Sequence, residues 1–415
     1  MNKTVLEIAE GAKKAQRLLA KCGGQARTDA LMAIAQALEE NKAKIIEANA
    51  EDIKNARKNG MSEAMIDRLS LSSERISAMA QGAREVAAMA DPIGNVLWGE
   101  TRPNGLRLEK VSVPLGVVAI IYEARPNVTS DAAALCLKSG NAVILRGGKE
   151  AISSNKAIAE IMRDAVEAKG LPRAAINLIE DTSRQSANEL MTANGYVDVL
   201  IPRGGKGLIK SVVENATVPV IETGSGNCHT YVDKDADFAM AADIVFNAKT
   251  SRTSVCNACE SLLIHKDVIE KVLPMIYDKL KTKNVEIYGD ESVCKILPQA
   301  HRATQEDWGT EYLDYKISVK SVESVDEAIE HIAKYSTGHS ECIVTQNYDT
   351  AQQFMREVDS SAVYVNASTR FTDGGEFGFG AEIGISTQKL HARGPLGVKN
   401  LTSEKYIIYG SGQIR

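Results

Sequence analysis

Residues 117–146 read VVAIIYEARPNVTSDAAALCLKSGNAVILR, and this stretch decides the fold of the chain. Two short apolar runs rich in β-branched residues, Val117–Tyr122 and Ala142–Leu145, are typical of buried strands. The segment between them is rich in alanine and leucine, and we predict a helix over about 131–139. Two strands joined through a helix predict a parallel pair with a crossover connection.

The same alternation continues along the chain. Further strands are predicted at Ile176–Ile179, Val197–Ile201 and Val218–Ile221, with helices at about 150–169, 183–193 and 206–216. A second series runs from Thr230 to Val365, with strands near 260–264, 315–319, 341–345 and 362–365. The fold class is therefore α/β, with a doubly wound parallel sheet followed by a second α/β domain.

The rest of the chain shows three other patterns. The first hundred residues are predicted to be helical, and Ser72-Ser73 before Glu74 is a plausible helix cap. Asn104-Gly105, flanked by near-alternating polarity, predicts a β-hairpin over about 101–113. The glycine-rich run from Asp373 to Gly384 is the one conspicuous flexible stretch.

Composition excludes several classes of protein. The chain has 415 residues, 44% hydrophobic and 25% charged, which is ordinary for two or three globular domains. A net charge of -5 gives no reason to expect nucleic acid or an anionic membrane as a partner. Seven scattered cysteines do not suggest a disulfide framework, and the amino terminus lacks the apolar core of a signal peptide. We expect a cytoplasmic protein.

Cys256 lies in the stretch SRTSVCNACES, residues 251–261, which combines small and polar residues just before an apolar run. A thiolate on such a loop is a suitable nucleophile for acyl carbons and aldehydes. The alternative is that Cys256 is a small buried hydrophobe, as most free cysteines are. The segment alone leaves both interpretations open.

Two basic, glycine-containing turns follow predicted strands. Arg146-Gly147-Gly148-Lys149 follows one strand, and Arg203-Gly204-Gly205-Lys206-Gly207 follows another. Since ligands of doubly wound sheets bind where strands end and helices begin, the two turns could hold one dinucleotide. Neither is a Rossmann glycine motif or a phosphate-binding P-loop, and each alone could be an ordinary turn.

Two further residues could take part in chemistry. Asn127 follows Arg125-Pro126 and could donate to an oxyanion, or it could cap the following helix. Glu222, in the glycine turn after the run Val218–Ile221, could be a general base or could hold a backbone amide.

The order of these segments resembles the aldehyde dehydrogenase superfamily. In that family an oxyanion asparagine, a cofactor-binding basic residue, a glycine turn, a glutamate and a catalytic cysteine follow one another. The matching residues here are Asn127, Arg146, Gly204-Gly205, Glu222 and Cys256. Glu311 matches the glutamate that holds the nicotinamide ribose.

The resemblance covers nearly the whole chain and implies an aldehyde dehydrogenase-like fold with three parts. The expected parts are an NADP-binding domain at 1–100 and 114–226, a catalytic domain at 227–395, and oligomerisation elements at 101–113 and 396–415. A homodimer or homotetramer is expected from this resemblance.

Longer strings narrow the resemblance to one branch of the superfamily. They read EARPNVTSDAAALCLKSGNAVILRGGKEA, IPRGG, SVCNA and STQKLHARGPLG. They are similar to the branch that reduces the acyl phosphate L-glutamate 5-phosphate with NADPH in the second step of proline synthesis. The chain departs from hydrolytic members at Val255, where they have glutamine, and at Thr223-Gly224-Ser225-Gly226, where they have Leu-Gly-Gly-Lys.

This resemblance implies a cysteine mechanism. Cys256 would attack the acyl phosphate, release phosphate and form a thioester, while Asn127 and the backbone amide of Cys256 would donate to the oxyanion. Glu222 would be a vestige, a nicotinamide contact or a base that exchanges a proton with Cys256. Phosphate is a good leaving group, so activation of water is unnecessary.

The resemblance also suggests binding residues. Lys149 stands where many members have a glutamate that bonds the adenine-ribose hydroxyls, so we expect NADP in preference to NAD. Independently of the resemblance, Arg125 and Arg252 flank the predicted reaction centre in sequence, so they are candidates for the substrate phosphate, or they are solvated surface residues. The loop from Arg370 to Gly380 is a candidate for the glutamate α-amino and α-carboxylate groups.

Other readings remain open. Cys256 and Cys259 form a CxxC pair, but a second ligand pair is not obvious and we predict no metal site. Cys136 and Cys228 are expected to be packing residues. The rival functions are a hydrolytic aldehyde dehydrogenase, with Glu222 activating water, and a thiol-switched binding protein without catalysis. Transient contact with a glutamate 5-kinase that supplies the labile substrate is a further hypothesis.

Overall fold

The amino-terminal part of the chain is helical, as its composition predicts. In the computed structural model, which describes residues 4–415, five helices precede the first strand. They are α1 (Val5–Leu19), α2 (Gly24–Glu40), α3 (Lys42–Lys58), α4 (Glu63–Leu69) and α5 (Ser73–Ala88). The predicted cap is confirmed, because the Ser72 side chain accepts a hydrogen bond from Arg75 N–H at the start of α5. Residues 1–3 of the predicted NADP-binding domain lie outside the described residues.

The chain divides into two units. Unit 1 comprises the residues up to Thr223 together with Gly378–Gly384 and Leu396–Arg415. Unit 2 comprises Gly224–Phe377 and Ile385–Pro395. The assignment of cofactor binding and catalysis to separate domains stays a prediction.

Unit 1 contains a parallel sheet of four strands, because its apolar runs alternate with helices as predicted. Its strands are β3 (Val117–Tyr122), β4 (Ala142–Arg146), β5 (Ile176–Leu178) and β6 (Val199–Arg203), in the order β5-β4-β3-β6. Its further helices are α6 (Asn127–Lys138), α7 (Ile152–Ala168), α8 (Arg184–Met191) and α9 (Lys206–Asn215). All six residues of β3 are buried, as expected for a central parallel strand.

One predicted strand of unit 1 is wrong. Val218–Ile221 forms no strand and contributes an isolated bridge between Leu200 and Val220. Leu200 donates to the carbonyl of Pro219 and accepts from Ile221 N–H. Pro219 has no N–H to donate, which is why the ladder does not extend.

A separate antiparallel sheet of three strands completes unit 1. Its strands are β1 (Val96–Thr101), β2 (Arg107–Pro114) and β16 (Thr402–Tyr409), in the order β1-β2-β16. The predicted hairpin is present and turns at Asn104-Gly105, but its first strand begins earlier than 101, at Val96. Gly105 has φ +87°, which explains why glycine is suited to this turn.

Unit 2 contains a parallel sheet of seven strands. Its order is β10-β9-β11-β8-β7-β12-β13, with β7 (Cys228–Val232), β8 (Cys259–His265), β9 (Glu286–Gly289), β10 (His301–Arg302), β11 (Lys316–Val322), β12 (Ser340–Val344) and β13 (Ala362–Val365). Its helices are α10 (Phe238–Thr250), α11 (Ile269–Leu280), α12 (Glu291–Ile296), α13 (Val325–Tyr335) and α14 (Tyr348–Glu357). A two-stranded antiparallel sheet joins β14 (Ile385–Ser386) to β15 (Gly394–Pro395).

Both faces of the seven-stranded sheet are covered by helices. Successive residues of β8 point to opposite faces, so Leu262 packs in the core with residues of α10 and α11, whereas Leu263 packs with Ile332 and Phe354 of α13 and α14. This confirms the doubly wound α/β class. The sequence pattern missed three strands of this sheet, β7, β9 and β10, although the second series was expected to begin at Thr230, within β7.

The predicted flexible run, residues 373–384, contains turns and no helix or strand. In its first part, which belongs to unit 2, the Asp373 side chain accepts hydrogen bonds from the N–H groups of Gly375 and Glu376. The run is therefore irregular, with its start organised by Asp373.

Candidate active site

Cys256 lies in the turn between the end of α10 and the start of β8, in unit 2. Its side chain is partly exposed and forms no disulfide. Its backbone carbonyl accepts a hydrogen bond from Cys228 Sγ at 3.1 Å. The loop position just before a strand is the one predicted for a nucleophile.

Gly226 packs closely against the backbone of this turn. A Cβ atom added at Gly226 would lie 1.4 Å from the Cys256 carbonyl oxygen, so any larger residue would displace the turn. The N–H of Gly226 donates to Glu311 Oε1 at 2.7 Å. The structure therefore brings Cys256 and Glu311 to the same glycine.

Two predicted substrate-binding arginines lie near Cys256. Arg252 is exposed in the Cys256 turn itself, and Arg370 is half-buried in a separate short 3₁₀ helix at Thr369–Phe371. Burial lowers the pKa of Arg370 and the Arg252 charge lowers it further, whereas Asp373, Cys256 and Cys228 raise it. Cys256, Arg252 and Arg370 are thus close enough to interact electrostatically.

The neighbouring cysteines of unit 2 are buried. Burial is the main cause that raises the pKa of the Cys228 thiol well above its ordinary value, and it raises the pKa of Cys259 to about 11. Cys259 Sγ donates to Thr230 Oγ1 at 3.4 Å inside the sheet. Cys256 is therefore more accessible than Cys228 or Cys259. In unit 1, Cys136 is buried in α6.

The described residues contain neither a membrane-spanning helix nor a metal cluster. Across residues 4–415 no helix has the length and apolar character needed to cross a membrane. Within the same part of the chain, no three or more His, Cys, Asp and Glu residues are grouped so that they could hold a metal ion.

A fully buried ion pair lies next to the Cys256 turn. Lys249 Nζ, in the last turn of α10, contacts Glu260 Oε2, in β8, at 2.5 Å. The other oxygen, Glu260 Oε1, accepts from Leu313 N–H at 3.2 Å. Burial raises the pKa of Glu260 to about 7, although Lys249 lowers it. The pair ties together α10, β8 and the segment that carries Glu311.

Asn127 lies in unit 1, as the first residue of α6. It is exposed, and its Nδ2 donates to Asp131 Oδ2 at 2.9 Å. Pro126, and not Asn127, is the N-cap residue of α6, so the alternative capping role is wrong. Arg125 lies in the turn between β3 and α6 and is partly buried.

Two predicted cofactor residues surround the end of β4 in unit 1. Arg146 Nη2 donates to the backbone carbonyls of Thr182 and Ser183 at 2.7 and 2.8 Å. Burial lowers the pKa of Arg146, since it disfavours the charged form. Lys149 is exposed just after this strand, where its charge can reach a ligand.

The end of β6 leads directly into α9, and Gly205 is the N-cap residue. Gly205 N–H donates to Glu123 Oε2 at 2.8 Å, so the start of α9 binds an anionic oxygen. A Cβ atom at Gly204 would lie 2.5 Å from the same carboxylate oxygen. The start of α9 therefore favours an anionic oxygen, and the Glu123 carboxylate provides one.

Glu222 lies in the irregular segment after Ile221 and is partly buried in unit 1. The next residue, Thr223, donates from Oγ1 to the carbonyl of Pro202 at 2.6 Å.

Sequence reasoning did not assign roles to Gly226, Asn257, Lys249 and Glu260. Gly226 belongs to the segment that departs from the hydrolytic pattern, and Asn257 belongs to the string SVCNA, and these are the signals that point to them. Nothing in the local pattern marks Lys249 and Glu260 as partners, because their pairing depends on how α10 packs against β8.

Comparison with known proteins identifies the family. The model of the aldehyde dehydrogenase family matches residues 1–311 of the chain. The gamma-glutamyl phosphate reductase of Clostridium novyi is 60% identical over 411 residues, which is 99% of each chain. The gamma-glutamyl phosphate reductase of Clostridium botulinum strain Alaska E43 is 58% identical over 415 residues, the whole of both chains.

Solved structures show the same likeness. The crystal structure of gamma-glutamyl phosphate reductase from Thermotoga maritima has 47% sequence identity and a TM-score of 0.97, with 100% of both chains covered. An acetylating aldehyde dehydrogenase from Geobacillus thermoglucosidasius has 19% identity and a TM-score of 0.72, with 99% of this chain and 97% of that chain covered. This second likeness shows the fold alone.

Proposed function

The chain belongs to the aldehyde dehydrogenase family and, within it, to the gamma-glutamyl phosphate reductases, and from this premise we propose its reaction. The chain reduces L-glutamate 5-phosphate with NADPH to L-glutamate 5-semialdehyde and phosphate, the second step of proline biosynthesis from glutamate. The observation that carries the proposal is the accessible Cys256 turn in a chain 60% identical to such a reductase over nearly its full length.

Cys256 is the proposed nucleophile. Its thiolate attacks the γ-carbonyl carbon, the bond from that carbon to the phosphate oxygen breaks with its electron pair, and a thioester remains. The partial exposure of Cys256 and the nearby charges of Arg252 and Arg370 favour the thiolate form. By contrast, Cys228 is buried and its thiol pKa is raised, which disfavours it for this role.

Two donors are proposed for the oxyanion. They are the Asn127 side-chain amide and the backbone N–H of Cys256. They stabilise the negative oxygen of the tetrahedral species formed when Cys256 attacks the acyl phosphate, and that of the thiohemiacetal formed when the thioester is reduced. An amide nitrogen carries two hydrogens, so the bond from Asn127 Nδ2 to Asp131 leaves one for the substrate. Collapse of the thiohemiacetal re-forms the carbonyl and expels Cys256 as the thiolate.

NADPH, when bound, supplies a hydride to the thioester carbonyl carbon. We propose that Gly204 and Gly205 at the start of α9 hold its phosphates, with a phosphate oxygen replacing the Glu123 carboxylate that accepts from Gly205 N–H. Arg146 orients the neighbouring turn through Thr182 and Ser183. Lys149 attracts the 2′-phosphate and thereby selects NADP over NAD.

Glu311 is proposed to bond the nicotinamide ribose. Its carboxylate is held by Gly226 N–H, so one oxygen is fixed and the carboxylate is oriented. Because Gly226 also contacts the Cys256 backbone, this arrangement links the position of the ribose-binding carboxylate to that of the nucleophile.

Glu222 has no hydrolytic role in this proposal. Phosphate departs without help from a base, and water attack on the thioester would waste the activated acyl group. Glu222→Gln is therefore expected to keep phosphate-dependent activity, whereas its abolition would show that a carboxylate base is required.

The oligomer is proposed to form through the sheet of β1, β2 and β16. Trp98, Tyr406 and Ile408 on this sheet are all exposed, and several exposed large apolar side chains on one sheet are typical of an interface. We propose a homodimer or homotetramer in the cytoplasm, with transient contact to the glutamate 5-kinase as a further hypothesis.

The test is NADPH formation from NADP and L-glutamate 5-semialdehyde, with and without inorganic phosphate. Activity that requires phosphate is expected. Multiple-turnover activity without phosphate would replace the proposal by a hydrolytic dehydrogenase in which Glu222 is the base. No activity under either condition would show that the substrate is wrong.

A further inference from the structure

Asn257, the residue after Cys256, holds Arg370 from several directions. Asn257 is only 5% exposed, and its Nδ2 donates to the backbone carbonyls of Arg370 at 3.3 Å and Thr372 at 2.9 Å. Its Oδ1 accepts a hydrogen bond from Arg370 Nη1. One buried amide therefore fixes both the backbone and the guanidinium of Arg370.

The other end of the Cys256 turn also holds this guanidinium. Arg370 Nε donates to Ser251 Oγ at 2.9 Å. The two side chains that position Arg370, Ser251 and Asn257, thus flank Cys256 in sequence. Arg370 spans the turn. The oxygens of Ser251 and Asn257 that accept its hydrogen bonds are uncharged, so they do not neutralise the guanidinium.

A second guanidinium lies near Arg370. Burial is the main cause that lowers the pKa of Arg370, and repulsion from Arg252 lowers it further, while Asp373, Cys256 and Cys228 raise it. In the described part of the chain, neither Arg252 nor Arg370 forms an ion pair with a carboxylate within 4.0 Å. Two neighbouring guanidinium groups, one half-buried, form a site that an anion would stabilise.

We infer that Arg370 and Arg252 form the subsite for the anionic oxygens of the substrate's phosphate, with Asn257 as the residue that positions Arg370. The identity of the anion as phosphate rests on the proposed function. Guanidinium forks match phosphate oxygens in pairs, and an anionic leaving group gains most from them as its bond to carbon breaks. Arg370 then serves the leaving group and not the glutamate α-groups.

The test compares two alkylating reagents of similar size on Cys256. Iodoacetate is anionic and iodoacetamide is neutral, so the ratio of their rates reports a cationic site beside the thiol independently of the enzyme's substrate. In the wild-type protein we expect inorganic phosphate to slow the alkylation of Cys256 by iodoacetate. In Arg370→Gln we expect the ratio of iodoacetate to iodoacetamide rates to fall about 10-fold, with phosphate protection lost. Arg356→Gln, at an exposed arginine on α14, is the matched control.

The enzyme assay adds a second readout. In the reverse reaction, Arg370→Gln is expected to raise the KM for phosphate about 10-fold and to change kcat less. If the proposed substrate is wrong, the enzyme assay fails while the alkylation ratio still reports the anion site. An unchanged ratio and unchanged phosphate protection in Arg370→Gln would overturn the subsite.

The positioning role of Asn257 needs a separate comparison. Asn257→Ala removes the contacts to Arg370, whereas Thr369→Val removes only the bond from Thr369 Oγ1 to the Asn257 carbonyl at 2.8 Å. We expect the alkylation ratio to fall in Asn257→Ala and to stay near wild type in Thr369→Val. Equal ratios in the two variants would show that Asn257 is merely structural.

If Asn257→Ala does not fold, Arg370→Lys tests in its place whether the cation must be held in position. Lysine keeps the charge but cannot bond Ser251 and Asn257 simultaneously in the same fork geometry. We expect phosphate protection to need a higher phosphate concentration in this variant. Protection at the wild-type concentration would contradict the need for a positioned guanidinium.

Discussion

Glu311 Oε1 accepts a hydrogen bond from Gly226 N–H at 2.7 Å, and Gly226 lies directly against the backbone of Cys256. This pairing joins residues 85 positions apart in the sequence. The glycine is required because its missing side chain is what allows the Cys256 turn to approach so closely.

Gly226→Ala is expected to reduce the reverse reaction by about 100-fold, since displacement of reacting groups by about 1 Å has an effect of that size. The added Cβ would clash with the Cys256 carbonyl and force the turn to move. Activity and thermal unfolding are measured together, with Gly309→Ala as control, because a Cβ at Gly309 has Tyr335 at 3.8 Å as its nearest contact. Near-wild-type activity in Gly226→Ala would contradict the close approach.

The buried pair of Lys249 and Glu260 gives a prediction about stability. Lys249→Met leaves a buried carboxylate without its partner and is expected to lower the free energy of unfolding by about 3–5 kcal/mol. Adding Glu260→Gln removes that charge and should recover most of the loss. Chemical denaturation of both variants measures the difference, and a double variant no more stable than the single one would contradict the pairing.

The sign of the pH effect for Glu260 follows from its pKa. Burial raises the pKa of Glu260 to about 7 in the folded chain from the ordinary value of 4.5. The folded state therefore binds the proton more tightly, and the contribution of Glu260 to stability falls as pH rises from about 4.5 to 7. In Lys249→Met the loss of stability should be smaller at pH 5 than at pH 8, and a larger loss at pH 5 would reverse this assignment.

Asp131 gives a second prediction of the same sign. Burial raises its pKa from 3.8 to about 6, against hydrogen bonds from Asn127 and Ser130 that lower it. Asp131→Asn should raise the free energy of unfolding at pH 7 by about 1 kcal/mol, a value discounted for partial exposure, and have less effect near pH 4. Thermal melts at the two pH values test this. Destabilisation that is larger at pH 7 than at pH 4 would contradict it.

Cofactor choice is tested at Lys149. Lys149→Glu replaces an exposed cation after β4 by a carboxylate that repels a 2′-phosphate and accepts ribose hydroxyls. The preference for NADP over NAD, measured as a ratio of kcat/KM values, should fall by at least about 10-fold. Unchanged NADP affinity would remove Lys149 from the cofactor site. Lys58→Glu, at the exposed last residue of α3, serves as a charge-reversal control.

The sequence predicts the main elements where a local pattern encodes them. The runs around β3 and β8, the cap at Ser72 and the turn at Asn104-Gly105 are all local signals, and the structure confirms each. The error at Val218–Ile221 has a local cause, since Pro219 cannot donate to a ladder.

The arrangement of the site could be predicted only in part. Cys256 is predicted from its polar loop before an apolar run, Arg252 from its position close to Cys256 in sequence, and Glu311 from its place in the family's order. The contacts that hold them are not encoded locally, since Asn257 reaches Arg370 across 113 residues and Gly226 reaches Glu311 across 85. Such pairs form only when parallel strands bring distant loops to one edge of the sheet.

The most direct measurement is a rapid-mixing experiment with NADP and L-glutamate 5-semialdehyde in the absence of phosphate. We predict a burst of one NADPH per Cys256, followed by a stalled thioester that phosphate addition releases into steady turnover. Cys256→Ala should give no burst. Continued NADPH formation without phosphate, or a burst that survives Cys256→Ala, would contradict a thioester on Cys256 that phosphate, and not water, cleaves.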